Sequence, residues 1–308
     1  MKINLVYNSN AGNGDFSLAA ILEELNQHGA KVNVKESHED NLGLFLDKDC
    51  DFMIIAGGDG TVEKIVKMVV NKSVPLAILP VGNANNIANS LDLGDYLDQV
   101  IQNWKENRLE CLSLGSLAYK NQRHLFLESV GWGLFTDVLR KIKSGKDKDK
   151  KVTPPVDDKV TFGLEKLEEG LVELQPAFFE IKMDGKDYSG EYLWLEAMNT
   201  QFMGPQLNLA PEADLNDVFL DVFMAKRGEH TKIREFITGD QSKKTSGLRP
   251  TVKVKEIMIR GEGILHVDDE IVDLGADKTA WISITLHPEF VRIIKSSWFG
   301  GMMTQMRF

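Results

Sequence analysis

The chain has 308 residues, enough for two domains of ordinary size, each able to bury a core. Its 43% apolar and 27% charged residues exclude a wholly disordered chain. A formal charge of −10 argues against a nucleic-acid partner, because phosphate backbones are held by clustered Lys and Arg.

Lys2 to Tyr7 reads directly as a strand, unlike the basic-then-apolar order of a secretory leader. No run approaches the roughly 18 to 20 apolar residues of a spanning helix. A cytoplasmic protein is expected. Cys50 and Cys111 lack the paired spacing of a zinc or redox site and read as buried free thiols.

Over the first hundred residues, apolar runs at Ile3 to Val6, Phe52 to Ala56 and Leu76 to Leu79 alternate with helix-period segments. Leu18, Ile21, Leu22 and Leu25 fall at i, i+3, i+4 and i+7, as do Val62, Ile65, Val66 and Val69. This order builds a parallel sheet covered by helices. From about Cys111 the pattern moves to period two, clearest at Phe179, Ile181 and Met183. Asp184-Gly185 supplies a hairpin turn, and Tyr188 to Ala197 the returning strand. Further strands are expected at Leu220 to Ala225, Val252 to Arg260 and Trp281 to Leu286, packed as a sandwich. The expected division is an α/β domain over 1–112 and a mainly β domain over 113–287. Lys141 to Lys159, mixing Lys and Asp around Pro154-Pro155, reads as a mobile loop with a solvated surface.

Three loops follow strands that a parallel sheet would align: Asn8 to Gly14, Gly57 to Thr61, and Pro80 to Asn86. Glycines let backbone N–H groups close on a phosphate, and the helix after Thr61 offers its positive end. Taken singly, each loop is equally an ordinary Gly/Asn turn. Asp59 between glycines favours phosphate, since a carboxylate beside polyphosphate is tolerated through Mg²⁺.

At these residues the sequence resembles the catalytic family shared by diacylglycerol, sphingosine and ceramide kinases, whose fold is related to that of NAD kinases. Gly57 to Thr61 match the family's GGDGT motif residue for residue. Asn8, Gly12 and Gly14 resemble its first nucleotide loop, and Pro80, Gly82, Asn85 and Ala88 its P-x-G-T-x-N-D-x-A segment. The resemblance implies a Rossmann-like α/β domain with a parallel sheet, then a mainly antiparallel β-sandwich that holds the lipid, with 288–308 returning to the first domain. It implies ATP bound by Asn8, Gly12, Gly14, Gly57, Gly58, Asp59, Gly60, Thr61, Gly82, Asn83 and Asn85, with a catalytic Mg²⁺ at Asp59.

Asn199 to Val222 resembles the stretch opening the family's substrate-facing region, where the Asp217 side chain and the carbonyls of Asp214 and Phe219 would hold a structural Mg²⁺. An acidic loop between strands needs no metal, and both readings stand. Asp268-Asp269-Glu270 resembles the family's D-G-E motif, with Asp269 where glycine is usual. By that resemblance Asp268 and Glu270 face the interdomain cleft and orient or deprotonate the lipid hydroxyl; an exposed acidic turn is the plain alternative.

Departures lie close to this chemistry. Asn83 stands where Thr is common, Asn86 where Asp is common, Glu63-Lys64 where Asn-Glu is common, and no acid occurs around Gly131 to Phe135. Trp132, Phe135, Phe202 and Met203 are candidates for either the cleft or the core. The implied activity is transfer of the ATP γ-phosphate to a lipid hydroxyl at a membrane surface, by a cytoplasmic, transiently membrane-associated enzyme with a possible homodimer contact through its apolar end. An NAD kinase-like enzyme, or a nucleotide- or lipid-binding protein with weakened catalysis, are the alternatives.

Overall fold

In the computed structural model, residues 1–12, 17–94, 97–144, 159–239, 250–275 and 278–295 are described. The first part runs β1 (Lys2–Tyr7), α1 (Leu18–Gln27), β2 (Lys31–Glu36), α2 (Leu42–Leu46), β3 (Phe52–Gly57) and α3 (Asp59–Val69). It continues with β4 (Leu76–Pro80), α4 (Asn86–Ser90) and α5 (Leu97–Lys105). Then come β5 (Leu109–Tyr119), β6 (Gln122–Phe126), β7 (Ser129–Gly133), α6 (Leu134–Lys143) and α7 (Lys159–Glu173). β8 (Ala177–Met183), β9 (Lys186–Asp187), β10 (Gly190–Met198), β11 (Phe202–Met203), β12 (Leu207–Asn208) and β13 (Leu220–Lys226) follow. The last are α8 (His230–Thr238), β14 (Val252–Val254), β15 (Glu256–Arg260), β16 (Ile264–Val267), β17 (Glu270–Asp273) and β18 (Ile282–Ile294).

The N-terminal strands β2, β1, β3 and β4 are parallel neighbours in that order. The central β3 is buried at every residue, as a strand covered on both faces must be. α3 buries Val62, Ile65, Val66 and Val69, and α1 buries Ile21 and Leu25, as their spacing predicts. Edge strand β2, KVNVKE, is largely exposed and too polar to stand out as an apolar run.

The C-terminal half is mostly antiparallel, and its strands enclose a second core that includes Trp132, Phe179, Ile181, Leu195, Ile257 and Leu265. Asp184 (φ 47°) and Gly185 (φ 77°) make the expected left-handed turn after β8. The run expected as one strand over Val252 to Arg260 divides at Lys255: β14 pairs with β13, whereas β15 pairs with β8 and β18. The alternation slips by one residue there, from Val252 and Val254 to Ile257 and Ile259, so the break is marked in the sequence by the adjacent Lys255 and Glu256.

Three helices also belong to this half. α6, α7 and α8 bury Val138, Leu167, Leu171, Ile233 and Ile237 against Trp194 and Phe223. Leu164, Leu167, Leu171 and Leu174 carried the helical signal for α7. The charged segment is accordingly not one loop: Lys141 to Lys143 end α6 and Lys159 opens α7, while 145–158 lie outside the described residues. Cys50 is half-buried and Cys111 exposed on β5, in place of two buried thiols.

β18 crosses between the halves. It pairs antiparallel with β15 and β5, and through Ile293 parallel with Leu76 of β4. Val291, Ile293 and Ile294 are buried; the apolar residues from Trp298 to Phe308 lie outside the described residues.

Candidate active site

The three glycine loops meet at the carboxyl ends of β1, β3 and β4. They touch backbone to backbone. A Cβ on Gly12 (φ 63°) would come within 2.1 Å of the Val81 carbonyl oxygen, and one on Gly82 within 2.4 Å of the Gly58 Cα. Those glycines serve loop packing. Gly60 differs: among the described residues nothing outside its own helix backbone lies within 4 Å of the position its Cβ would take, and its backbone is not in the left-handed region. Space beside Gly60 is therefore left open on the cleft.

Side chains lock the loops together. Asn8 Nδ2 donates to Thr61 Oγ1 (2.9 Å). Asn85, left-handed at φ 52°, accepts the Gly82 N–H and donates to the Gly82 carbonyl, both at 2.9 Å. Asp59 opens α3, and its Oδ1 accepts the Ile87 N–H (3.0 Å). The result is a polar cleft of about 440 Å³ bounded by Asn8, Gly12, Gly58, Asp59, Gly60, Thr61, Gly82 and Asn83. Gly14 lies outside the described residues.

Asp268, Asp269 and Glu270 turn from β16 into β17 and part company there. Asp268 is buried and left-handed (φ 49°); its carboxylate accepts the N–H groups of Leu127, Glu128 and Ser129 and the Lys67 ammonium (2.5 Å). Its lone pairs are occupied by the turn it stabilises. Glu270 is exposed at the start of β17. Asp269, between them, lines the polar cleft. Its φ is not positive, so the backbone makes no demand for the glycine usual at that position.

Around this turn lie acids that the motifs did not mark. Asp59, Glu63 and Lys67 recur at i, i+4 and i+8 on one face of α3. Burial, then the Asp268 carboxylate, holds Glu63 well above the usual carboxylate range. Glu128, in the β6–β7 connection, is pushed well up by burial and by the charges of Asp59 and Glu63. Its Oε2 accepts from Asn86 Nδ2 (3.2 Å). Asn86, standing where an acid is common, thus faces an acid contributed from elsewhere in the chain. Asp59 is raised by burial against the N–H groups of Ile87 and Asn86, which lower it, while Asp269, whose side chain remains exposed at the turn, is raised by the protein mass around the cleft and by Asp268. Burial would lower Lys67, but the carboxylates of Asp268 and Glu63 outweigh it and raise the ammonium. Helical spacing could have exposed Glu63 and Lys67; Glu128 carries no local signal.

A second, apolar cavity of about 410 Å³ adjoins the cleft, walled by Phe135, Val138, Leu139 and Ile142 of α6, Phe162 and Leu167 of α7, and Pro205. Asn83, Lys159 and Asp269 line both spaces. Of the aromatic candidates, Phe135 lines this cavity, whereas Trp132 and Met203 are core.

Comparison with known proteins fits this geometry. Residues 2–117 match the family model of the diacylglycerol kinase catalytic domain. The match spans the α/β part of the chain with its three glycine loops, and the curated relatives and solved structures point to the same family. The diacylglycerol kinase of Bacillus subtilis (strain 168) is 23% identical over 98% of this chain and 91% of its own length. The diacylglycerol kinase of Staphylococcus saprophyticus is 24% identical over 75% of this chain and 80% of its own. The crystal structure of a diacylglycerol kinase from Bacillus anthracis shares the fold at a TM-score of 0.67, with 21% identity and 96% of each chain covered. At family level the chain groups with lipid kinases.

Two metal sites implied by this family fare differently. Asp59 and Asp269 give the cleft two hard carboxylates, and among the described residues no group of three or more His, Cys, Asp and Glu forms a complete cage. That donor set fits Mg²⁺, which binds through one or two carboxylates and completes its shell with phosphate oxygens and water. The structural cation expected at Asp214, Asp217 and Phe219 does not fit. Asp217 Oδ1 accepts the Phe219 N–H (2.8 Å), and the Asp214 carbonyl accepts the Asp217 N–H (3.1 Å). Lys253 Nζ bridges Asp217 Oδ2 (3.0 Å) and Asp221 Oδ2 (3.2 Å). An ammonium already neutralises this loop, and a dication beside it would be repelled. Among the described residues no helix is long and apolar enough to cross a membrane.

Proposed function

We propose that this protein transfers the γ-phosphate of ATP to the hydroxyl of a lipid. The observation that carries the reading is the contact between the two cavities: a polar, glycine-lined cleft opens onto an apolar one through Asn83, Lys159 and Asp269. A nucleotide suits the first space and an acyl or isoprenoid chain the second, which would bring phosphate and hydroxyl together at the shared wall.

In this reading the N–H groups of the three loops and the N-terminal end of α3 hold the phosphates. Mg²⁺ held by Asp59 and Asp269 would neutralise charge on the transferred group. Asp269 accepts the proton from the lipid O–H; the oxygen bonds to the γ-phosphorus, the bond to the β–γ bridging oxygen breaks, and ADP leaves. Asp268 is a positioning residue that fixes the turn through three N–H groups and Lys67, and Glu270 contributes through its charge near Lys67. An NAD-like acceptor would set polar ribose against Phe135, Val138 and Leu139, which disfavours that alternative.

The test is transfer of labelled phosphate from Mg-ATP to a panel of lipids in micelles, with NAD alongside. We expect label in a lipid band. Asp59→Asn and Asp269→Asn, which preserve shape, are each expected to cut turnover on the order of 100-fold or more without unfolding the protein. Label in NAD alone, or wild-type turnover in both variants, would overturn the reading.

A further inference from the structure

Two residues that line the polar cleft, Ser37 and Lys64, have no role so far. Lys64 lies one helical turn beyond Gly60, the glycine that borders open space, and its exposed side chain faces the cleft. Its Nζ donates to the Ser37 carbonyl (2.8 Å), which holds a flexible side chain in one place. Ser37 follows the last residue of β2, lines the same cleft and is only 1% exposed, yet among the described residues its Oγ has no hydrogen-bond partner. Buried hydroxyls are ordinarily paired, so an unpaired one on a ligand-sized cleft marks a partner that arrives with the ligand. The sign of that partner follows from Lys64: an ammonium recognises an anion.

We propose that Lys64 and Ser37 form a donor-nucleotide subsite, in which the Lys64 ammonium and the Ser37 hydroxyl together bind a phosphate of the nucleotide. The proposal rests on the reading of the polar cleft as the nucleotide site and adds to it a cation in the second turn of α3. Glycine loops supply only neutral N–H donors, and Asp59 and Asp269 supply negative charge. Lys159 lies where the cleft meets the apolar cavity, so Lys64 brings a second positive charge to the cleft, beside Ser37.

Calorimetric titration of the full chain with ADP and with adenosine tests this, using wild type, Lys64→Gln, Lys64→Arg and Ser37→Ala. Lys64→Gln is expected to weaken ADP about tenfold or more while leaving adenosine unchanged. Lys64→Arg should recover most of the loss, and Ser37→Ala should weaken ADP by a smaller factor. Wild-type affinity for ADP in Lys64→Gln would overturn the subsite while leaving the nucleotide cleft standing. Equal weakening of ADP and adenosine would make Lys64 a structural residue and overturn it too. If the wild-type chain binds neither ADP nor ATP, the functional reading falls and the subsite with it.

Discussion

Glu128 and Asp268 show how differently two buried acids of one site are surrounded. Asp268 receives three backbone N–H groups and a lysine. Glu128 receives an Asn86 amide and faces four other carboxylates, so its proton is held more tightly in the native state than in the unfolded chain. Its contribution to stability is then favourable at low pH and is lost as pH rises from the ordinary carboxyl range, about 4.3, through the raised native value. Across that window one such group costs about 1.4 kcal/mol per pH unit. Glu128→Gln keeps an acceptor for Asn86 and removes the ionisation. Urea unfolding between pH 4 and 8 should show a flatter fall for the variant, with the two proteins equal at the acid end; parallel curves would show that Glu128 does not titrate there. Of these residues the sequence marked Asp59, Asp268 and Glu270 through their motifs. It left Asp269 as a replaced glycine and passed over Glu128, because whether an acid faces a cleft depends on which turn packs behind it.

Among the elements, α6 and α7 turn a nucleotide-binding sheet into a site with an apolar side. Their inner faces pack Val138, Leu167 and Leu171 on Trp194 and Phe223, and the gap between them is the cavity walled by Leu139 and Phe162. Leu139→Trp should fill this gap. We expect KM for the lipid to rise tenfold or more with the affinity for ATP unchanged, measured by micelle kinetics and nucleotide titration. A parallel loss of both would mean that the substitution disturbs α6 as a whole. The strand patterns around Phe179 and Leu220 were legible because alternation is local. α7 was legible in principle, since its leucines repeat at helical spacing, but a half with many period-two runs drew the reading toward strands.

For the whole molecule, β18 is the element that ties the halves together. Its Ile282 to Leu286 pair with β15 and β5, and beyond a break in register between Leu286 and Phe290 its end reaches β4 through Ile293. Ile293 is 1% exposed in the core that α3 shares with the first sheet. Ile293→Ala should cost about 2–5 kcal/mol, and hydrogen exchange should rise together in β3 and β10 peptides because one strand serves both regions. Exchange rising in β3 alone would show that the halves open independently. The sequence by itself determined the glycine loops, the parallel and antiparallel halves and the resemblance to a kinase family, because each rests on periodicity or motif within a short span. Only the tertiary structure decided which acids face the cleft, that Lys253 pairs with Asp217 and Asp221, and that the polar and apolar cavities share a wall. Those features arise where residues distant in sequence meet, and a local pattern carries no record of its partner.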